Sequence, residues 1–324
     1  MKQKGVDIGD FSGVRTVVTG GAGFIGSHLV ERLLSSGAEV TIIDNFLFGS
    51  KIEHLRGHRA LTIIEGDIRD AGAVSQALDA KDIIFHLAAC VGVEETQKMP
   101  FEVLEIEIQG TLNVLNSAVK SSTKKFLFGS SSEVYGDSPE PMKEEGPFSP
   151  KSTYAVSKLV GEEYCKAFYQ RYGLEYTCLR YFNVYGPRQD ERFVIPRFVN
   201  RALSNEPLVI YGDGKQSRDF TYVDDVINMT LLSAVEPRAR CQAINIGTGR
   251  TTSINELARL TLKALGSKNR LKPTYVDYDD NRPRSIEALN RCADVTRAKQ
   301  FLQYEPKVSL QSGIAKYVDW CLGR

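Results

Sequence analysis

The sequence lacks net charge, long apolar runs and long runs of one charge sign, and each absence excludes a class of partner. Its 324 residues carry 41 Lys and Arg against 40 Asp and Glu, a formal net charge of +1. Without a basic stripe we expect no nucleic-acid partner. No apolar run approaches the ~20 residues that span a bilayer. The polar start MKQKGVDIGDFSG lacks the hydrophobic segment of a secretion signal. We therefore expect neither a membrane partner nor secretion.

Cysteine and histidine are too scattered to indicate a disulfide framework or a metal centre. The six cysteines form no C-x-x-C pair, and the four histidines do not cluster with them. Some cysteines lie in apolar runs such as YTCLRYF, which is typical of reduced core thiols. We expect no metal site and a cytoplasmic location, where thiols stay reduced.

The sequence is rich in apolar residues and in alternating strand and helix patterns. Apolar residues make up 42% of the chain, which is ample for a large core. Short β-branched runs such as RTVVTG and AEVTIID alternate with helical runs such as GFIGSHLVERLLSSG. This alternation predicts an α/β fold with a doubly wound, Rossmann-like parallel sheet. We predict a first domain over 14–186 with a returning segment near 218–248, and a smaller, partly interleaved C-terminal α/β region over 187–324.

The stretch VVTGGAGFIGSHL places Gly20, Gly23 and Gly26 between a strand and a helix. Gly20 would allow a tight turn, and Gly23 would allow the backbone to approach a pyrophosphate closely. Gly26 would allow the helix to pack closely on the strand. The helix N-terminus offers free N–H groups to the phosphates. A glycine-rich turn without a ligand is the alternative. Asp44 ends the next strand, where its carboxylate would accept from both adenosine ribose hydroxyls and repel a 2′-phosphate, so NAD is favoured over NADP.

Residues at the ends of the following strands complete the predicted cofactor site. Asp67, in EGDIRD, suits the edge of the adenine ring, although capping of its own loop would also explain an aspartate there. The remaining residues predicted to contact NAD are Phe24, Ile25, Asn45, Ile68, Leu87, Ala88 and Ala89.

The stretch TYAVSK places Tyr154 and Lys158 four residues apart, and therefore on one face of a helix. A free phenol has a pKa of about 10 and is a weak base at neutral pH. A nearby ammonium group and an oxidised nicotinamide would both favour the phenolate. Tyr154 could then remove a proton from a hydroxyl while hydride leaves the same carbon, and Lys158 could also hold the nicotinamide ribose. An exposed amphipathic helix is the alternative explanation of the spacing.

Several motifs together resemble a known family. The glycine loop, SSSEVYG, YAVSK, RYFNVYGPRQ, YGDGKQSRDFTYVDDV and NIGTG are similar to the extended short-chain dehydrogenase/reductases, and more closely to the NAD-dependent epimerase/dehydratase branch that acts on nucleotide sugars. Within it, the sequence looks most like the UDP-sugar 4-epimerases, and the likeness covers nearly the whole chain from Arg15. It implies a homodimer through the helices EVLEIEIQGTLNVLN and TYAVSKLVGEEY, unless their apolar faces only cover the sheet.

The resemblance also implies roles for individual residues. Ser131 matches the residue that hydrogen-bonds the reacting hydroxyl, with Ser132 as the neighbour that could replace it. Tyr154 matches the base, and Lys158 matches its partner. For Arg282 the alternative explanation is an ordinary charged loop, and for Tyr211 it is core packing. The substrate-site matches are Asn183, Arg218 and Arg282 at the diphosphate, Tyr211 at the nucleotide base, and Val194.

Two departures from the family pattern stand out. Glu107 stands shortly before GT in EIEIQGTLN, at a position where the branch usually has asparagine, which adds a possible acid near the site. The segment from Arg282 to Asp294 also looks longer than usual, which weakens the assignment of Arg282.

Glu133, in SSSEVYG, bears on the choice of activity. Simple 4-epimerases of the branch usually carry a small residue there. The family's 4,6-dehydratases use a glutamate at this position to remove the C5 proton once C4 is a ketone, and its decarboxylases carry a glutamate as well. The other motifs are epimerase-like, so the leading expectation is a UDP-hexose 4-epimerase. The alternatives are a 4,6- or 5,6-dehydratase, a UDP-glucuronate decarboxylase, and a non-catalytic NAD-binding sensor. Glu133 itself could be a tolerated polar residue.

Overall fold

A computed structural model describes residues 10–266, 271–279 and 283–324. The strands in these residues are β1 (Arg15–Thr19), β2 (Glu39–Asp44), β3 (Leu61–Glu65), β4 (Ile83–His86), β5 (Lys125–Ser131), β6 (Glu175–Tyr181), β7 (Val184–Tyr185), β8 (Val209–Tyr211), β9 (Ser217–Asp219), β10 (Thr221–Tyr222), β11 (Gln242–Ile246), β12 (Thr251–Ser253), β13 (Thr274–Val276) and β14 (Asn290–Arg291). The α-helices are α1 (Phe24–Ser35), α2 (Ala71–Leu78), α3 (Val93–Lys98), α4 (Pro100–Leu104), α5 (Thr111–Lys120), α6 (Thr153–Tyr172), α7 (Val194–Leu203), α8 (Val223–Val235), α9 (Ile254–Ala264), α10 (Thr296–Leu302) and α11 (Leu310–Cys321).

Seven strands form one parallel sheet in the order β11-β6-β5-β4-β1-β2-β3. The chain runs from β1 outward to β3, crosses back to β4 on the other side of β1, and continues outward through β5 and β6. The strand order therefore reverses between β1 and β4, as in a doubly wound fold. The predicted α/β fold with a doubly wound parallel sheet is confirmed.

Adjacent residues of the central strands point to opposite faces of the sheet, and each face has its own core. Val17 packs in one core with residues of α2, α5 and α6, whereas Val18 packs in the other with residues of α1, α7 and α8. Every residue of β5 is buried. Because both faces are covered, apolar residues occupy consecutive positions in the middle of these strands, as in Val17 and Val18 or in Phe126, Leu127 and Phe128.

The chain beyond β6 contributes to the large sheet and to smaller ones. β11 returns to the edge of the large sheet beside β6, while β12, β9 and β14 form a separate three-stranded sheet. Asp219, at the end of β9, is buried and accepts hydrogen bonds from the N–H groups of Thr248 and Gly249, at 2.9 Å and 2.8 Å. These bonds tie the small sheet to the loop after β11. The proposed division into domains over 14–186 and 187–324 stays a prediction.

The helix expected over EVLEIEIQGTLNVLN is present, but a π-helical turn interrupts it. A π-helical turn, Glu105–Gly110, joins α4 to α5. A side chain at Gly110 would lie 2.5 Å from Ile68, so this turn packs directly on the loop after β3. The wider turn is stabilised by that contact and by the polar contacts of Glu107, which is buried. Within the described residues, no helix is long and apolar enough to cross a bilayer.

Candidate active site

A cleft runs along the carboxyl ends of β1, β2, β4 and β5, at the point where the strand order reverses. Every predicted site residue within the described chain lines this cleft, whereas Arg282 lies outside the described residues. The lining residues among the predictions are Gly20, Gly23, Phe24, Ile25, Gly26, Asp44, Asn45, Asp67, Ile68, Leu87, Ala88, Ala89, Ser131, Ser132, Glu133, Tyr154, Lys158, Asn183, Val194, Tyr211 and Arg218.

The glycine loop between β1 and α1 is shaped so that side chains would block it. Gly20 has a φ of +70°, and a Cβ there would lie 2.7 Å from the backbone nitrogen of Ala88. A Cβ at Gly26 would overlap the carbonyl oxygen of Gly20. The N-cap of α1 is Gly23, so within the described chain no capping side chain covers the first-turn N–H groups. The loop and the helix N-terminus therefore fit a dinucleotide pyrophosphate.

The end of β2 provides the carboxylate predicted to contact the adenosine ribose. Asp44 accepts hydrogen bonds from the N–H groups of Ala22 and Phe46, at 2.9 Å and 2.8 Å. Burial raises the pKa of Asp44, and these two hydrogen bonds lower it. They fix the carboxylate at the rim of the cleft, where its remaining lone pairs can accept from ribose hydroxyls.

Asp67 lies on the neighbouring loop and is already engaged. Its carboxylate accepts from the guanidinium of Arg69 at 2.9 Å and 3.0 Å, and from the Asn45 amide at 3.0 Å. The Arg69 hydrogen bond is the main reason why the pKa of Asp67 falls to about 2. These contacts connect the loops that follow β2 and β3. They are the kind of contact that the loop-capping alternative predicts for Asp67.

The predicted catalytic group is assembled at the end of β5 and the start of α6. Tyr154 and Lys158 share a helix face, with the Lys158 Nζ 5.3 Å from the centre of the Tyr154 ring. The Ser131 side chain lies in the same cleft, and its hydroxyl lowers the pKa of Tyr154. Ser132 is buried and begins the short 3₁₀ turn Ser132–Tyr135 that follows β5. Hydroxyl, phenol and ammonium thus line the same cleft as the glycine loop.

The environment of Tyr154 differs from the expectation of an acidified phenol. Burial raises the pKa of Tyr154, and the negative charges of Glu107 and Glu133 raise it further. The Ser131 hydroxyl acts in the opposite direction and lowers it. The sequence predicts that the Lys158 ammonium group favours ionisation of Tyr154. This effect is weakened because the ammonium group is paired with a carboxylate.

Glu107 provides that carboxylate. Its Oε2 lies 2.7 Å from the Lys158 Nζ, and its Oε1 accepts from the backbone N–H of Cys90 at 3.0 Å. Behind the pair, His86 forms hydrogen bonds with the hydroxyls of Thr19 and Thr111. Burial and the charge of Lys158 lower the pKa of His86 to about 3, so its imidazole stays neutral.

Glu133 is also paired. Both of its carboxylate oxygens accept from the guanidinium of Arg291, through Nη1 and, at 2.8 Å, through Nη2. The Arg291 side chain is 6% exposed and that of Glu133 is 29% exposed. Sequence reasoning missed Arg291, which lies 158 positions from Glu133. The sequence held one indication of its role, because Arg291 lies inside the segment from Arg282 to Asp294 that departs from the family pattern.

The predicted substrate residues lie toward the C-terminal end of the cleft. Arg218, on β9, pairs with Glu287, and both are buried. The ring of Tyr211 lies 6.1 Å from that of Tyr278. Asn183 has a φ of +20°, and its buried Oδ1 has no hydrogen-bond partner among the described residues. An unpartnered buried polar atom at a cleft is consistent with a polar ligand.

Arg192 is a second residue of the cleft that sequence reasoning missed. Its guanidinium lies 3.8 Å from the centre of the Phe48 ring, binds both oxygens of Asp190 and donates to the carbonyl of Val91 at 2.8 Å. It therefore connects the loops after β2 and β4 with the segment before α7. The spacing of the residues in GPRQDER does not distinguish Arg192 from the other charged residues of that stretch.

Comparisons with known proteins match nearly the whole chain. A family model described as GDP-mannose 4,6 dehydratase matches residues 17–317. The chain is 38% identical over 316 residues to UDP-N-acetyl-alpha-D-glucosaminuronate decarboxylase from Bacillus cytotoxicus, covering 94% of this chain and 97% of that protein.

Two solved structures show the same fold. The UDP-N-acetylglucosamine 4-epimerase of Methanobrevibacter ruminantium, in complex with UDP-N-acetylmuramic acid, is 38% identical with a TM-score of 0.88, covering 96% of this chain and 99% of the other. The UDP-glucose 4-epimerase of Thermus thermophilus, in complex with NAD, is 32% identical with a TM-score of 0.86 over the same shares. With a glycine cradle that fits NAD and an assembled serine, tyrosine and lysine, the chain belongs to the family of NAD-dependent nucleotide-sugar epimerases, dehydratases and decarboxylases.

Proposed function

We propose that this chain inverts C4 of a UDP-linked hexose through transient oxidation at that carbon. The observation that carries the choice among the family's activities is the hold of Arg291 on both oxygens of Glu133. Beside that pair, Ser131, Tyr154 and Lys158 provide what a 4-epimerase needs. The uridine nucleotide and the hexose are inferred from the relatives.

The chemistry divides between cofactor and side chains. Bound NAD supplies the hydride acceptor for C4 and, later, the hydride donor. Tyr154 takes the proton of the C4 hydroxyl, while Ser131 holds the C4 oxygen by a hydrogen bond. The 4-keto sugar turns over in the pocket, and Tyr154 returns its proton to the C4 oxygen as hydride enters the opposite face. Binding energy from the remote nucleotide positions the reacting carbon.

The 4,6- and 5,6-dehydratase alternatives are less well supported. After C4 oxidation, a dehydratase needs a free base to remove the C5 proton. A proton accepted by Glu133 would neutralise the carboxylate and weaken its pair with Arg291. Breaking a bidentate, charge-assisted pair of which one member is 6% exposed adds to the barrier of such a step.

Arg291 favours one second candidate, decarboxylation of a UDP-hexuronate. Its buried Nε has no hydrogen-bond partner among the described residues, so the guanidinium has donor capacity left for a C6 carboxylate. Oxidation at C4 makes that carboxylate part of a β-keto acid. The C5–C6 bond then breaks with release of CO₂, its electron pair forms the enolate, a proton adds at C5, and hydride returns to C4. The Bacillus cytotoxicus relative named as a decarboxylase supports this candidate.

One experiment separates these activities. The protein with NAD is incubated with UDP-glucose, UDP-N-acetylglucosamine or UDP-glucuronate, and the products are identified by NMR. We expect inverted C4 without loss of water or CO₂. Loss of CO₂ from UDP-glucuronate would establish the second candidate instead, and loss of water would refute the epimerase proposal.

The matched control is Tyr154→Phe, which removes one hydroxyl. We expect it to bind NAD like the parent while turnover falls by about 10²–10⁴-fold. Turnover equal to that of the parent would remove the Tyr154 phenol from the mechanism.

A further inference from the structure

We propose that Glu107 is a positioning residue that fixes the Lys158 ammonium group and cancels its charge beside the Tyr154 phenol. This inference rests on the proposed function, because it assumes that Tyr154 is the base and Lys158 its partner. It concerns a residue that stands where the resemblance leads one to expect an uncharged asparagine.

The contacts of Glu107 leave it little freedom. Its side chain is 1% exposed and that of Lys158 is 3% exposed, with 2.7 Å between Oε2 and Nζ. The second oxygen is held by the backbone N–H of Cys90. The π-helical turn, the loop after β4 and α6 therefore converge on one carboxylate, and the ammonium is held at a fixed point.

Burial makes this pair electrostatically strong. Charges removed from water interact through a lower effective dielectric constant than in solvent. An ammonium alone near the phenol would favour the phenolate. With Glu107 paired to it, the two charges form a dipole whose net charge is zero. In agreement with this geometry, Glu107 is second only to burial among the causes that raise the pKa of Tyr154.

Other groups near the phenol do not supply the missing positive charge. Glu133 faces it from the turn after β5 but is paired with Arg291, whose guanidinium comes from β14. The pKa of the Cys90 thiol is raised by burial and by Glu107, so the thiol is neutral. His86, behind Lys158, is also neutral. The balance between Glu107 and Lys158 therefore decides how much positive charge the phenol experiences from the protein.

A neutral amide at position 107 would leave Lys158 uncompensated. Tyr154 would then give up its proton at a lower pH, because the phenolate would gain a net attraction to the ammonium group. Glutamate thus secures the position of Lys158 and at the same time weakens its pull on the phenol proton.

The test is an ultraviolet difference titration of the phenolate in the full-length protein with NAD. Tyr154→Phe serves as the blank that identifies the Tyr154 step. In Glu107→Gln we expect this step to move to lower pH by about one unit or more, and the pH–rate profile to move with it. Glu107→Asp, which keeps the charge, should stay near the parent. A step that does not move in Glu107→Gln, or that moves to higher pH, would overturn the proposal.

A double variant keeps the proposal testable if Glu107→Gln does not fold. Glu107→Gln/Lys158→Met removes both charges, so its Tyr154 step should lie near that of the parent, and a large displacement would refute mutual cancellation. The titration also separates this inference from the proposed function. A displaced step without turnover of any UDP-sugar would refute the function alone, whereas turnover with an undisplaced step would refute the role of Glu107 alone.

Discussion

Arg180 lies on β6, next to the strand β5 that carries Ser131. It is the centre of a buried polar network. Its guanidinium donates to both oxygens of Glu162, at 2.9 Å and 2.6 Å, to the Tyr135 hydroxyl at 2.8 Å and to the Glu144 carbonyl at 2.8 Å. The side chains of Arg180 and Glu162 are each 3% exposed. We predict that Arg180→Met strongly destabilises the protein.

The magnitude follows from the charge that is left behind. Without Arg180, Glu162 retains a hydrogen bond from Ser130 but remains buried beside a thioether. Breaking a buried ion pair by removing one partner costs about 3–5 kcal/mol. For a chain of this size each kcal/mol lowers the thermal midpoint by about 2 °C, so we expect a fall of about 8 °C by circular dichroism.

The control removes the stranded charge as well. Glu162→Leu/Arg180→Met should recover at least half of the lost midpoint, because its remaining defects are neutral. The Ser130 hydroxyl and the Glu144 carbonyl lose these hydrogen bonds, whereas the Tyr135 hydroxyl still donates to Asn245. A loss of less than about 1 kcal/mol in Arg180→Met, or a double variant less stable than the single one, would contradict the assignment of this network as a buried, mutually dependent pair.

Three further predictions concern the cleft and α6. Gly26→Ala would press a methyl group onto the carbonyl of Gly20, and such overpacking costs about 1–3 kcal/mol. The affinity of this variant for NAD, measured by calorimetry, should therefore fall. An unchanged affinity would show that α1 can shift to make room for the methyl group. Asp44→Asn removes the charge and keeps an acceptor oxygen for only one of the two loop N–H groups. The affinity for NAD should therefore fall, and the preference for NAD over NADP in a fluorescence titration should narrow; an undiminished preference would place the discrimination elsewhere. Gly161→Ala, outside the cleft, would press a methyl group into the Phe128 ring. This should displace α6 from β5 and lower turnover more than NAD affinity, whereas equal losses of both would argue for general unfolding.

The parts of the site that the sequence predicted are local. Gly20, Gly23 and Gly26 lie close together where β1 passes into α1, and Tyr154 and Lys158 lie four positions apart on one helix. Spacing along the chain therefore determines how the members of each group are arranged. The alternation of strand and helix patterns likewise predicts the doubly wound sheet, because each pattern is set within a short window.

The parts that the sequence did not predict depend on contacts between distant segments. Whether Glu133 is free or paired depends on where β14 lies against β9, and no local pattern contains that register. The departure at Glu107 was visible, but its pairing with Lys158 requires the π-helical turn, which a uniform helical pattern does not indicate. Burial of the phenol, which opposes its ionisation, likewise follows from packing and not from spacing.

The two-residue strand β14 has a consequence for how activities diverge on this scaffold. Arg291 is the register partner of Arg218 on β9, and neighbouring strands lie about 4.8 Å apart. Because successive side chains alternate between faces, a slip of β14 by one residue would turn Arg291 away and leave Glu133 without its guanidinium. The number of residues leading into this strand therefore decides whether Glu133 is held by a guanidinium or is free as an acid. A change in the length of that segment could redirect the chemistry without a substitution of Glu133, Ser131, Tyr154 or Lys158.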